Sequence, residues 1–159
     1  MENNQTFLDL DTIKKIAMEM PKAEVHLHIE GTLEPEYIYE LGQKEHNKMF
    51  SSIEEIRDNF KFDNLNHFIE YADSFFVLLK TREDFRNLAL KYFKKAKEHG
   101  IVYAELTYGP MLFEKNNVSH KELLSGYLEA MELAQVDYNI ESNLVLTFDR
   151  KNSCYWISL

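Results

Sequence analysis

Two histidines one residue apart, His26 and His28, are the residues whose type and spacing best suit them to chemistry. The run Ala23-Glu24-Val25-His26-Leu27-His28-Ile29 alternates apolar and polar residues in the manner of a strand. Side chains at i and i+2 share a strand face, so both imidazoles can reach one metal ion, each nitrogen about 2.0–2.1 Å from a zinc. Gly31 follows at once and puts the pair at the C-terminal end of the strand, where α/β barrels gather their chemistry. Spacing alone leaves a chance pair open as the alternative. His46, His67, His99 and His120 fall in loops or on polar helix faces and are read as solvated rather than as ligands. The single cysteine, Cys154, can form no internal disulfide and no cysteine zinc knuckle, which fits a reducing compartment.

The elements that must position the pair follow from periodicity and punctuation. A short helix over 10–18 leads into Pro21 and the strand over 23–29. Pro35 opens a helix reaching about Gly42, and Ser51-Ser52 followed by Glu54-Glu55 starts another. Leu65, Phe68, Ile69, Ala72, Phe75, Phe76 and Leu79 recur at helical spacing. Phe85, Leu88, Ala89, Tyr92, Phe93 and Ala96 do the same after the cap Thr81, and Gly100 stops that helix. A second strand spans 101–108, a helix capped by Ser119 with Glu122 runs to about Val136, and a third strand covers 142–148. Strands alternating with helical crossovers predict an α/β fold with parallel strands. Three strands make less than half of an eight-stranded barrel, which takes around 250 residues.

Composition bounds the partners. The 159 residues carry 27 Asp and Glu against 18 Lys and Arg, a net charge of -9, with no basic cluster to receive a phosphate backbone, so nucleic acid is not expected. No apolar run approaches the roughly 18 residues of a membrane span, and the polar, acidic first residues do not resemble a signal peptide. A cytoplasmic protein is expected.

The string Met20-Pro21-Lys22-Ala23-Glu24-Val25-His26-Leu27-His28-Ile29-Glu30-Gly31-Thr32-Leu33-Glu34-Pro35-Glu36 strongly resembles the opening signature of the adenosine and adenine deaminase family. The likeness continues through Leu65, Phe68 and Ile69 and through Gly100-Ile101-Val102-Tyr103-Ala104-Glu105, and fades after Asp149-Arg150. It implies a TIM-type (β/α)8 barrel holding one Zn2+, with His26 and His28 as ligands on its first strand. It implies a small-molecule purine substrate, with His28, Glu30, Leu65, Phe68 and Ile69 on the substrate side. As bare pattern, Leu65, Phe68 and Ile69 also suit a plain core. The implied reaction is hydrolytic deamination: zinc activates a water that attacks C6 of adenine or adenosine, a carboxylic acid protonates the ring, and ammonia leaves.

That acid belongs to a His-Ala-Gly-Glu type motif, which this sequence does not contain, so no catalytic residue is assigned within the chain. The expectation is residues 1–150 as the N-terminal part of the barrel, 151–159 as an aberrant tail, and a truncated, inactive fragment that joins a second copy or the missing C-terminal half. Competing expectations are a non-catalytic binding remnant and another metal-dependent hydrolase of the superfamily. The family's second-strand Arg or Phe is Thr107 here, which weakens any contact claimed there. Glu30, where adenosine deaminases carry Asp, resembles the adenine-type branch. It is expected on the strand face of His28, with its longer side chain filling space that a ribose needs.

Overall fold

In the computed structural model, residues 8–46, 50–114 and 116–148 are described. Helix α1 (Leu10–Glu19) precedes strand β1 (Lys22–His28) and the 3-10 turn Ile29–Thr32. Helices α2 (Pro35–Lys44), α3 (Ile53–Asn59), α4 (Leu65–Phe76) and α5 (Arg82–Glu98) lead to β2 (Ile101–Tyr108). Helices α6 (Met111–Glu114) and α7 (His120–Tyr138) lead to β3 (Glu141–Leu146). The strands pair in the order β1-β2-β3, all parallel, as the alternation of strands and helices predicts.

Local chemistry fixes the helix ends. Ser52, Asn64 and Ser119 accept from the amides of Glu55, His67 and Glu122, and Thr81 and Asp84 form a reciprocal capping box. Glu122 does not complete the box expected with Ser119; its Oε2 accepts from the Arg82 amide at 2.8 Å and ties α7 to the start of α5. Past α5, Gly100 takes φ +74, and a Cβ there would lie 3.1 Å from the Met18 carbonyl.

The core lies between the sheet and the α5/α7 pair. Phe85, Leu88, Ala89, Phe93 and Ala96 meet Leu123, Tyr127, Ala130 and Ala134 over Ala104 and Leu106 of β2, all buried. Gly126 permits the crossing, since a Cβ there would stand 2.5 Å from the Arg82 carbonyl oxygen and 2.9 Å from Phe85 Cβ. The opposite sheet face is open among the described residues, with Val25 60% and Val145 42% exposed.

Two elements depart from the sequence expectation. The first strand stops at His28, and Ile29-Glu30 turn into the 3-10 segment. The third stops at Leu146, where Thr147 turns its amide to the Tyr108 carbonyl at 3.0 Å. The tail expected over 151–159 lies outside the described residues. Among those described, no helix is long and apolar enough to cross a membrane.

Candidate metal and substrate site

The histidine pair sits at an irregularity rather than on a plain strand. Glu24 pairs with Ala104 and Leu27 with Leu106, so three steps along β1 match two along β2. The extra residue is a β-bulge, and His26 within it adopts φ 60, a left-handed backbone that few side chains other than Gly, Asn, Asp and His take up. Glu24 and Leu27 pair with the buried Ala104 and Leu106 and so share the helix side of the sheet. Plain alternation from Glu24 would have sent His26 and His28 to that helix side. The bulge returns both to the open face, where their ring centroids are 5.4 Å apart at an interplanar angle of 45°. From His26 to His28 the side chains alternate about Leu27, and the bulge changes only the face that the pair takes relative to Glu24.

This spacing fits a shared metal. Two imidazoles on one tetrahedral zinc, with nitrogens about 2.0–2.1 Å away, place their ring centroids roughly 5 Å apart. Both rings are exposed. Among the described residues no third His, Cys, Asp or Glu converges to complete a metal-holding group. Glu105, opposite the bulge on β2, accepts from the Tyr103 hydroxyl at 2.9 Å, and Asn143 donates to that hydroxyl at 2.9 Å.

Glu30 is corrected from strand to turn: it belongs to the 3-10 segment and is 1% exposed. Oε1 accepts from the Gly109 amide at 3.2 Å, while Oε2 has no partner. Burial pushes its pKa up to about 7, against the lowering effect of hydrogen bonds from the Glu30 and Gly109 amides. A carboxyl poised there can donate or accept near neutral pH.

His28 and Glu30 line a cavity of about 490 Å³ at the C-terminal ends of the strands. Its wall on α4 is Phe68, Ile69, Ala72, Asp73 and Phe76, and Gly109, Met111, Leu112, Thr147 and Phe148 close the far side. Phe68 and Ile69 line this cavity with His28 and Glu30. Leu65 does not line this cavity; it lies in the first turn of α4 and is 69% exposed. Sequence reasoning missed Met111 and Leu112, because α6 is a single turn too short to show periodicity. A larger cavity, about 600 Å³, runs beside Tyr92, Lys95 and Ile101 and takes in neither histidine of the pair. Of the remaining histidines, His120 stacks on Tyr108 and lies 3.3 Å from its hydroxyl, and His67 faces Asp63 at 3.8 Å.

The adenosine deaminase family model matches residues 21–157. The chain belongs to the adenosine deaminase family. This deaminase-family chain is 36% identical over 144 residues to an uncharacterized deaminase of Schizosaccharomyces pombe, covering 89% of the chain and 42% of that protein. It is 34% identical over 142 residues to an adenine deaminase of Wolinella succinogenes, with coverage of 89% and 43%. An adenine deaminase structure from Arthrobacter aurescens superposes with TM-score 0.76 at 29% identity, over 79% of this chain and 39% of that one. An amidohydrolase of Burkholderia ambifaria, solved with bound Zn, shares the fold at TM-score 0.79 and 18% identity, over 93% and 41% of the two chains. The deaminase-family chain spans about two fifths of the length of the curated relatives it matches.

Proposed function

We propose that this chain supplies two zinc ligands and one wall of the substrate pocket of a purine aminohydrolase, which hydrolyses adenine in preference to adenosine. The observation that carries this is the His26–His28 pair, 5.4 Å between rings, with His28 lining a cavity that also takes in the buried Glu30. Support comes as well from relatives named adenine deaminase. The three strands would be the first of a (β/α)8 barrel, with the open sheet face turned to its interior and the strand ends to its chemistry.

His26 and His28 would hold zinc through neutral imidazole nitrogens. A zinc ion there supplies Lewis-acid chemistry and makes water nucleophilic near neutral pH. Glu30 would meet a ring nitrogen of the purine, while Phe68, Ile69 and Phe76 offer an apolar wall that excludes water from the base. The proton donor and the remaining ligands have no counterpart in these 159 residues. Zinc content and purine affinity test the assignment. Wild-type protein equilibrated with excess zinc should bind it weakly but measurably and should then bind adenine more tightly than adenosine, and His26→Ala or His28→Ala should abolish the zinc binding. Unchanged zinc content in both variants would remove the basis for the site.

A further inference from the structure

The apolar face that α4 turns to the cavity is interrupted at one position. Ile69, Ala72, Asp73 and Phe76 stand at i, i+3, i+4 and i+7, so they share one face of the helix, and all four line the cavity with His28 and Glu30. Asp73 is the only charged residue among the described residues of that wall. Packing alone would fill position 73 with an apolar side chain, as it does one turn earlier at Ile69 and one turn later at Phe76. Neither Lys nor Arg is among the described residues that line the cavity, so no ion pair within it accounts for the carboxylate. Asp73 is exposed and open to solvent. A ligand that fills the cavity strips water from this group, a costly step unless the ligand brings a hydrogen-bond donor.

We propose that Asp73 is a specificity-determining residue that accepts a hydrogen bond from the imidazole-ring N–H of free adenine. The inference rests on the purine site proposed above, with C6 toward the histidine pair, the orientation that attack by water activated there requires. That orientation turns the N9 edge of the base away from the metal and toward the other walls. The N–H on that edge is the donor that a ribose replaces in adenosine, whereas the exocyclic amine is common to both. An acceptor on the wall therefore favours the base and finds no partner on the same nitrogen of the nucleoside. Glu30 shapes the pocket by its reach; Asp73 reads one N–H.

The probe is 9-methyladenine, which keeps the amine and the purine ring but carries a methyl group where adenine carries the N–H. Affinities of the full chain, equilibrated with excess zinc, are measured by calorimetry for adenine, 9-methyladenine and adenosine, with urea unfolding recorded in parallel. Asp73→Leu should lower adenine affinity about tenfold, the scale of one hydrogen bond to a partly solvated carboxylate, and leave 9-methyladenine affinity unchanged. The urea midpoint should hold or rise, because an apolar side chain completes the stripe. Asp73→Asn keeps an uncharged acceptor and should lose less. Equal losses for adenine and 9-methyladenine would overturn the N–H assignment, and a loss confined to adenosine would give the carboxylate to the ribose instead. A lowered urea midpoint with all three affinities falling together would make Asp73 a structural residue. Wild-type protein that binds none of the three refutes the purine site and the role of Asp73 with it, whereas adenine binding that neither variant changes refutes the role of Asp73 alone.

Discussion

Glu30 Oε1 accepts a hydrogen bond from the Gly109 amide at 3.2 Å, joining the turn after the first strand to the end of the second. The bond fixes how far this carboxyl reaches, so its length is a determinant of pocket shape. On the proposal that Glu30 faces the purine, Glu30→Asp shortens the reach by one methylene and should leave the Gly109 amide unpaired or pull the carboxylate away from the base. The kcat/KM ratio of adenine to adenosine in the catalytically complete protein should fall by about 10- to 200-fold. An unchanged ratio would take substrate choice away from Glu30.

The two-histidine set predicts weak metal binding and no turnover by the 159-residue chain on its own, because catalytic zinc sites take about three protein ligands with water. Ammonia release from adenine by the metal-loaded chain measures this directly. Turnover that His26→Ala abolishes would show the catalytic set to be complete as it stands.

The open face of the sheet bears on solution behaviour. Among the described residues β1 and β3 each pair on one side only, and Val25, Val102 and Val145 are 60%, 46% and 42% exposed on the sheet. Unpaired edges and exposed apolar groups promote association. Sedimentation of the isolated chain should show a mass that rises with concentration; a monodisperse monomer with one sharp thermal transition would contradict this.

Asp84 gives a pH-dependence of stability. Burial acts to raise its pKa, but hydrogen bonds from the Lys44 ammonium and from the amides of Thr81 and Lys80 outweigh it and hold the carboxyl below its ordinary 3.8. A depressed folded pKa contributes stability above 3.8 that is lost as pH falls through the folded value. Thermal stability should therefore drop below about pH 4, and Asp84→Asn should remove much of that drop while costing about 1–3 kcal/mol at neutral pH. A wild-type profile that stays flat through pH 3 would argue against this pairing.

Sequence legibility followed the range of the interactions involved. The caps Ser52, Thr81 and Ser119 and the whole of β2 were readable because their partners lie within a few residues. The bulge at His26 was not, since the pairing of β1 with residues some eighty positions away creates it. Ile29-Glu30 continue the alternation of the strand, so nothing local announced the turn that buries Glu30. The apolar stripe of α4 marked a face of the helix but not what covers each turn, which is why Phe68 and Ile69 reach the cavity and Leu65 does not.

The left-handed residue at His26 also limits how portable the motif is. Grafted onto a regular strand of another scaffold, His-x-His would carry the ligands without the extra residue that aims them, and both rings would follow the pleat of the host. A transplant would have to bring the bulge from Glu24 to Leu27 with its partner segment Ala104 to Leu106. Removing a single residue at Val25 should act as the reverse experiment, giving two steps on each strand between Glu24 and Leu27 and leaving the pairs Glu24–Ala104 and Leu27–Leu106 in place on a regular strand.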